Sequence, residues 1–139
     1  MKHISIIGAT GSIGTQSLDV IRMFPEYFNV IGLSAGNNIG LFKDQLLEFK
    51  PKYAAIQSNE HYNELKLFIS DNNLNISLFE GTQGLSDISS IKQDLVVIAV
   101  AGTIGIQATY DAIEAGNNIG LACKEVLVSA GDIIMKKSN

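Results

Sequence analysis

The stretch Ile4-Ser5-Ile6-Ile7-Gly8-Ala9-Thr10-Gly11-Ser12-Ile13-Gly14 decides how this chain folds. Ile4 to Ile7 is a short, nearly continuous apolar run closed by a glycine, the pattern of a central parallel strand buried on both faces. From Ser12 onward Ile13, Ser17, Leu18, Ile21 and Phe24 recur at helical spacing. Pro25 then stops the helix, because it disfavours the α conformation in Phe24 and cannot donate a hydrogen bond. Between strand and helix lies a G-x-x-G-x-x-G loop. Gly8 permits the sharp turn, Gly11 lets the backbone approach a pyrophosphate, and Gly14 lets the helix pack closely on the strand, while free amides at the helix start attract the anion. Thr10 and Ser12 add hydroxyl donors. The same glycines also suit a tight turn without a ligand, but strand, loop and helix in register favour a dinucleotide.

Outward from this loop the alternation continues. Val30 to Ala35 reads as a second strand, and Ile39, Phe42, Leu46, Leu47 and Phe49 as a helix ended near Lys50-Pro51. Tyr53 to Ile56 is a short strand, Glu60 to Ile69 a helix, and Ile76 to Phe79 a strand after the polar break Asp71-Asn72-Asn73. Leu95 to Val100 is the clearest buried strand, followed by a helix carrying Ile104, Ala108, Ala112 and Ile113 and closed by Gly116. Ile119 to Ala122 then reads as a strand and Lys124 onward as a final helix. Strands alternating with helices predict an α/β, Rossmann-like doubly wound fold: a mostly parallel sheet with helices on both faces. The hexapeptide Gly-Asn-Asn-Ile-Gly-Leu occurs at 36–41 and 116–121, but in opposite contexts, strand to helix and helix to strand, so it reads as coincidence.

At 139 residues the chain suits one domain, and 46% hydrophobic against 17% charged residues argues against disorder. A net charge of −4 argues against nucleic acid or an anionic membrane as partner, since both need a basic footprint. The single cysteine, Cys123, excludes an internal disulfide and a cysteine-only metal site. No signal-peptide core follows Met1, and the longest apolar run, Leu95 to Ala101, is far short of the ~20 residues of a membrane span. The chain therefore reads as cytoplasmic.

An NAD enzyme usually places an acidic residue at the end of the second strand, on the adenosine ribose. Here the sequence is Leu33-Ser34-Ala35-Gly36-Asn37-Asn38, with no carboxylate to repel a 2′-phosphate, which favours NADP. The loop holds no base either, Lys43 being the nearest, and Asn37 and Asn38 also suit a simple turn. A third segment, Gly120-Leu121-Ala122-Cys123-Lys124-Glu125, ends a strand on the carboxyl edge of the sheet, where open α/β sheets bind ligands. Lys124 can pair with a phosphate or carbonyl and Glu125 can orient a ribose or amide; an exposed lysine and a first-turn glutamate fit the spacing equally well. His3 and His61 have no partners at ligand spacing and read as structural, and Asp111 and Glu114 as a solvated helix face. No catalytic residue and no metal ligand is assigned.

Together these residues resemble the 1-deoxy-D-xylulose 5-phosphate reductoisomerase family over the whole chain. The likeness rests on Ile6 to Gly14 with Leu18-Asp19-Val20, on Ala35-Gly36-Asn37-Asn38, and on Ala101-Gly102 through Leu121-Ala122-Cys123-Lys124-Glu125-Val126-Leu127-Val128. The last run discriminates best, because semialdehyde dehydrogenases and extended short-chain dehydrogenases share the GATGxxG loop. The resemblance implies an NADPH-dependent enzyme of isoprenoid biosynthesis that converts 1-deoxy-D-xylulose 5-phosphate, a phosphorylated sugar, to 2-C-methyl-D-erythritol 4-phosphate with a divalent metal, Mg or Mn. It implies that Thr10, Gly11, Ser12 and Ile13 hold the pyrophosphate and nicotinamide side, that Gly36, Asn37 and Asn38 hold the adenosine phosphate, that Lys124 touches substrate, and that Cys123 and Glu125 face the cofactor. The family commonly carries a base at the place of Asn37 and an asparagine at that of Cys123, so a weaker preference for NADPH over NADH is expected here.

On this reading residues 1–139 are the NADPH-binding domain. The metal-binding Asp-Ser-Glu cluster, the catalytic and carboxyl-terminal domains and a homodimer belong to a longer native product, and these residues alone are expected to be inactive. Two other readings remain: another NADP-dependent dehydrogenase of aspartate-semialdehyde type, and a non-catalytic dinucleotide-sensing module.

Overall fold

The computed structural model describes residues 1–121, 126–129 and 132–135, with side chains for residues 1–120. The chain begins with β1 (Lys2–Ile7), α1 (Ser12–Met23), β2 (Phe28–Ala35), α2 (Ile39–Phe49) and β3 (Tyr53–Ile56). A 3₁₀ turn at Asn59–His61 leads into α3 (Tyr62–Asp71), followed by β4 (Ser77–Glu80), α4 (Gly81–Ser89), β5 (Leu95–Ile98), α5 (Gly102–Glu114) and β6 (Asn118–Leu121). Strands β7 (Val126–Ser129) and β8 (Asp132–Met135) follow. Among the described residues the sheet order is β4-β3-β2-β1-β5-β6-β7-β8. The first six strands are parallel, whereas β7 and β8 are antiparallel to their neighbours.

The continuous apolar reading of β1 holds because the strand is covered twice. Ile4 and Ile6 pack with Leu18 and Ile21 of α1, Phe42 and Leu46 of α2, and Leu65 and Ile69 of α3. Ile7 faces the other way, into a cluster with Leu85 and Ile88 of α4 and Ala108 and Ala112 of α5. Three helices thus cover one face and two the other. Helical crossovers carry the chain outward from β1 to β4 on the first face and back through α4 to β5 on the second. The order in which strands are laid down reverses between β1 and β5, which pair in parallel from Ile4↔Leu95 to Ile7↔Ile98. Their carboxyl ends form the switch point where ligands of such sheets sit.

Sequence signals for the ends of α1, α2 and α3 hold. Phe24 leaves the helical conformation just before Pro25, Lys50 caps α2 in the left-handed region just before Pro51, and the Asn72 side chain donates to the Phe68 carbonyl at the end of α3. Gly116 adopts φ +80 after α5. The repeated hexapeptide leads from β2 into α2 at its first copy and from α5 into β6 at its second.

Three readings need correction. Helix α4 is absent from the sequence reading, because Gly81-Thr82-Gln83-Gly84-Leu85-Ser86-Asp87-Ile88-Ser89 combines two glycines with poor helix formers. Packing decides it: a Cβ on Gly84 would lie 2.9 Å from Phe79 Cβ and 3.1 Å from Ala55 Cβ, so the glycine lets the helix lie close on the sheet. The final helix expected from Lys124 onward is replaced at 126–129 and 132–135 by strands. Val126-Leu127-Val128 and Ile133-Ile134 are apolar, mostly β-branched runs that suit extended backbone paired at a sheet edge. Strand β5 also ends at Ile98 rather than Val100; one further bond, Ala99 N–H to the Ile7 carbonyl, ties its extension to β1.

Arg22 links α1 to α2 by donating through Nε and Nη2 to both carboxylate oxygens of Glu48, while Nη1 donates to Asp19. The hydrogen bond from Arg22 holds the Glu48 carboxyl below its ordinary range. A depressed folded-state value means stability that is present at neutral pH and lost as pH falls below the ordinary carboxylate value. Because both partners are exposed, Glu48→Gln is expected to cost less than about 1 kcal/mol at pH 7. That cost should shrink as pH falls below the ordinary carboxylate range and through the depressed folded-state value, as urea unfolding at neutral and at acid pH would reveal.

Candidate dinucleotide site at the switch point

The glycine loop is held from three sides. Gly8 has φ +94, a conformation glycine adopts readily, and a Cβ there would lie 2.6 Å from Val100 Cγ1 and 2.9 Å from the Ala99 carbonyl. Its N–H donates to Ser34 Oγ at 2.9 Å, and the next amide, Ala9 N–H, donates to the Ser34 carbonyl at 2.7 Å. From α2, Gln45 Nε2 donates to the Ala9 carbonyl at 2.8 Å. Gly14 sits against the Gly8 carbonyl and the Ala9 backbone, so closely that any Cβ would collide with them. The close packing of α1 on the strand end that the motif implies is therefore present.

At the mouth the arrangement is the opposite, open rather than braced. A Cβ on Gly11 would meet only the Gly8 carbonyl, at 3.7 Å. Gly11 is the N-cap of α1 and supplies no side-chain acceptor. The amides of Ser12, Ile13 and Gly14 donate to no acceptor among the described residues. Three free N–H groups lie at the positive end of a 12-residue helix beside the open Gly11, an environment that suits a pyrophosphate. Thr10 is half-buried and Ser12 exposed. Ile13, which the helical spacing places among the core positions, is 38% exposed and stands beside the mouth, available to an apolar ring.

Gly36, Asn37 and Asn38 form the β2–α2 connection, with both asparagines exposed. Asn38 is the N-cap of α2, its Oδ1 accepting from Leu41 N–H at 3.3 Å; its amide nitrogen and the whole Asn37 side chain have no partner among the described residues. The β3–α3 connection approaches from the far side, Ser58 N–H donating to the Gly36 carbonyl at 3.3 Å. Lys43, the nearest base in sequence, is engaged elsewhere. Its Nζ pairs with Glu64 Oε2 at 2.7 Å and lies 5.4 Å from the Phe68 ring centre on α3. Ala122, Cys123, Lys124 and Glu125 lie outside the described residues, so the third segment has no geometry here.

Sequence reasoning passed over several parts of this site. Ser34 and Gln45 are polar residues at buried positions of an apolar strand and an apolar helix face, a signal to which the sequence reading gave no role. A second Gly-Thr-Ile-Gly, at 102–105, echoes Gly11-Ser12-Ile13-Gly14. It starts α5 after Gly102 at φ +78 and packs Gly105 against the Val100 carbonyl. Two helices on opposite faces of the sheet thus begin at adjacent strand ends. His3 Nδ1 lies 3.1 Å from Asn29 Nδ2, and His61 Nδ1 lies 3.7 Å from Glu64 Oε1. Among the described residues no three of His, Cys, Asp and Glu gather at metal-ligand spacing, so no metal-dependent step is assigned to them.

The family model of 1-deoxy-D-xylulose 5-phosphate reductoisomerase matches residues 4–131, which include most of β1, the glycine loop and the other five parallel strands. The chain belongs to the 1-deoxy-D-xylulose 5-phosphate reductoisomerase family. Relatives of that name include one from Clostridium perfringens (strain SM101 / Type A), 44% identical over 139 residues and covering 99% of this chain but 36% of its own length. Another, from Thermoanaerobacter sp. (strain X514), is 45% identical over 135 residues, covering 97% of this chain and 35% of its own length. The chain thus spans about a third of the curated reductoisomerases it matches.

Solved reductoisomerases share the fold. The enzyme from Zymomonas mobilis in complex with NADPH superposes with a TM-score of 0.81 at 30% identity, covering 87% of this chain and 31% of its own. A DOX-P reductoisomerase with fosmidomycin and magnesium superposes with a TM-score of 0.83 at 32% identity, covering 88% and 30%. The Rossmann-like, mostly parallel fold read from the sequence is that of solved reductoisomerases, among them one in complex with NADPH.

Proposed function

We propose that this chain is the NADPH-binding domain, residues 1–139, of a reductoisomerase that converts 1-deoxy-D-xylulose 5-phosphate to 2-C-methyl-D-erythritol 4-phosphate in isoprenoid biosynthesis. The observation that carries this reading is the uncapped first turn of α1 over the open Gly11, at the β1/β5 switch point of a chain belonging to this family. A bound NADPH supplies the hydride; the residues here bind and orient it. The Ser12, Ile13 and Gly14 amides and the Thr10 and Ser12 hydroxyls take the pyrophosphate, and Ile13 lies against the nicotinamide side. Gly36, Asn37 and Asn38 take the adenosine phosphate. Lys124 is assigned to substrate, and Cys123 and Glu125 to the cofactor, on family resemblance.

The divalent metal, Mg or Mn, and the catalytic and carboxyl-terminal domains belong to segments other than these residues, in a cytoplasmic homodimer acting on a phosphorylated sugar. Net charge supports the small-molecule assignment over nucleic acid or an anionic membrane. No helix among the described residues is long and apolar enough to cross a membrane. Family membership favours neither the aspartate-semialdehyde reading nor the sensing module.

Asn37 and the engaged Lys43 leave the adenosine loop without a free described cation, which narrows discrimination against NADH. Parallel calorimetric titrations of the complete protein with NADPH and NADH are expected to show NADPH bound more tightly. Asn37→Lys is expected to widen the preference about tenfold, the scale of one charge-assisted contact. A folded complete protein that binds neither cofactor would overturn the assignment.

A further inference from the structure

We propose that Gln45 is a positioning residue for the dinucleotide loop: by holding the Ala9 carbonyl toward α2, it turns the Thr10 amide outward as a donor for the pyrophosphate. This rests on reading the loop as an NADPH site. Gln45 is 2% exposed, on the buried face of α2 between Phe42 and Leu46. Its Nε2 lies 2.8 Å from the Ala9 carbonyl. The chain has no cis peptide bonds among the described residues, and in a trans peptide the carbonyl and the following N–H point in opposite directions. With the Ala9 carbonyl drawn to α2, Thr10 N–H points away from it, to a side where it has no acceptor among the described residues. Ser34 fixes the two preceding amides, so the Ala9–Thr10 peptide is the one whose direction depends on Gln45.

A second observation separates this role from simple stabilisation. Gln45 Oε1 is buried without a hydrogen-bond partner. The side chain therefore makes one hydrogen bond at the expense of one stranded acceptor, a poor exchange for stability alone, since an unsatisfied buried group costs more than an average bond contributes. An apolar residue of the same length would continue the face formed by Phe42 and Leu46. What only the glutamine supplies is the direction of the Ala9 carbonyl. Because α2 starts at Asn38, one helix carries the adenosine loop at its first turn and braces the glycine loop from its second, coupling the two halves of the cofactor site.

The test compares Gln45→Met with Leu65→Ala in the complete protein; Leu65 lies in the same core, on α3 rather than on the helix that braces the glycine loop, and its side chain has no polar group to direct a peptide. NADPH dissociation constants from cofactor fluorescence, thermal melting, and KM for NADPH against kcat are measured for both. Gln45→Met is expected to weaken NADPH about tenfold in Kd and KM, the scale of one misdirected donor, with kcat within about twofold. Leu65→Ala should melt lower yet bind NADPH as the native protein does. Native affinity in Gln45→Met, or equal weakening in both variants, would overturn the positioning role while leaving the NADPH reading intact. Failure of the native protein itself to bind NADPH would overturn both.

Discussion

Gly14→Val is expected to destabilise the protein by roughly 3 kcal/mol or more and to abolish dinucleotide binding, because the atoms in the way are main-chain atoms. A Cβ at Gly14 would collide with the Gly8 carbonyl and lie 2.7 Å from Ala9 Cα and 2.9 Å from the Ala9 carbonyl carbon. None of these can rotate aside as a side chain does. The helix must lift off the strand end, and the Ser12, Ile13 and Gly14 amides then lose their common focus. Denaturant unfolding of the complete protein should show the loss of stability, and calorimetry at a temperature where the variant remains folded should show no NADPH binding. An unchanged unfolding midpoint would mean that α1 does not pack on Gly8 in solution.

Asn117→Leu is expected to be comparably destabilising, by a route that leaves the cofactor site alone. Asn117 is fully buried. Its Oδ1 accepts from Gln93 N–H at 2.8 Å, while its Nδ2 donates to the Ser89 and Ile91 carbonyls at 3.1 and 2.8 Å. One side chain thus clamps the turn between α4 and β5 to the turn between α5 and β6. Leucine keeps the branched heavy-atom outline with bulkier methyl groups, so the hydrogen bonds are lost and no cavity is left to add to the cost. The Gln93 N–H and the Ser89 carbonyl are left without partners, while the Ile91 carbonyl keeps its bond from Gln93 Nε2; two such groups cost on the order of 2–5 kcal/mol together. The clamp lies at the amino ends of β5 and β6, opposite the glycine loop, so molecules that remain folded should bind NADPH with native affinity. A variant that melts like the native protein would show that the turn finds other partners; one that melts normally but fails to bind cofactor would contradict the placement of the site.

The two substitutions separate what was legible from what was not. Gly14 was legible because a glycine three residues into a helix, after a buried strand, has a specific steric reason to be there. Asn117 was not, because the three groups it satisfies belong to residues 24 to 28 positions away and only folding brings them together. Gln45 and Ser34 were hidden for the same reason, the partners being 36 and 26 positions distant. Helix α4 was hidden differently: its glycines and serines oppose a helix locally, and only the contact of Gly84 with Phe79 and Ala55 favours one. The strands at 126–129 and 132–135 were misread as helix because a short apolar run has no clear period, and sheet-edge pairing, a long-range interaction, settled it.

By itself, then, the sequence determined the alternation of strands and helices, the glycine turn after β1, the helix stops at Pro25 and Pro51 and the family. Each depends on periodicity, backbone conformation or a steric rule acting within a few residues. Only the tertiary structure decided which helices share a face, that Lys43 is spent on Glu64 rather than left for a 2′-phosphate, and that Ser34 and Gln45 brace the glycine loop. Those outcomes depend on which side chains meet across the sheet, and no local rule carries that information.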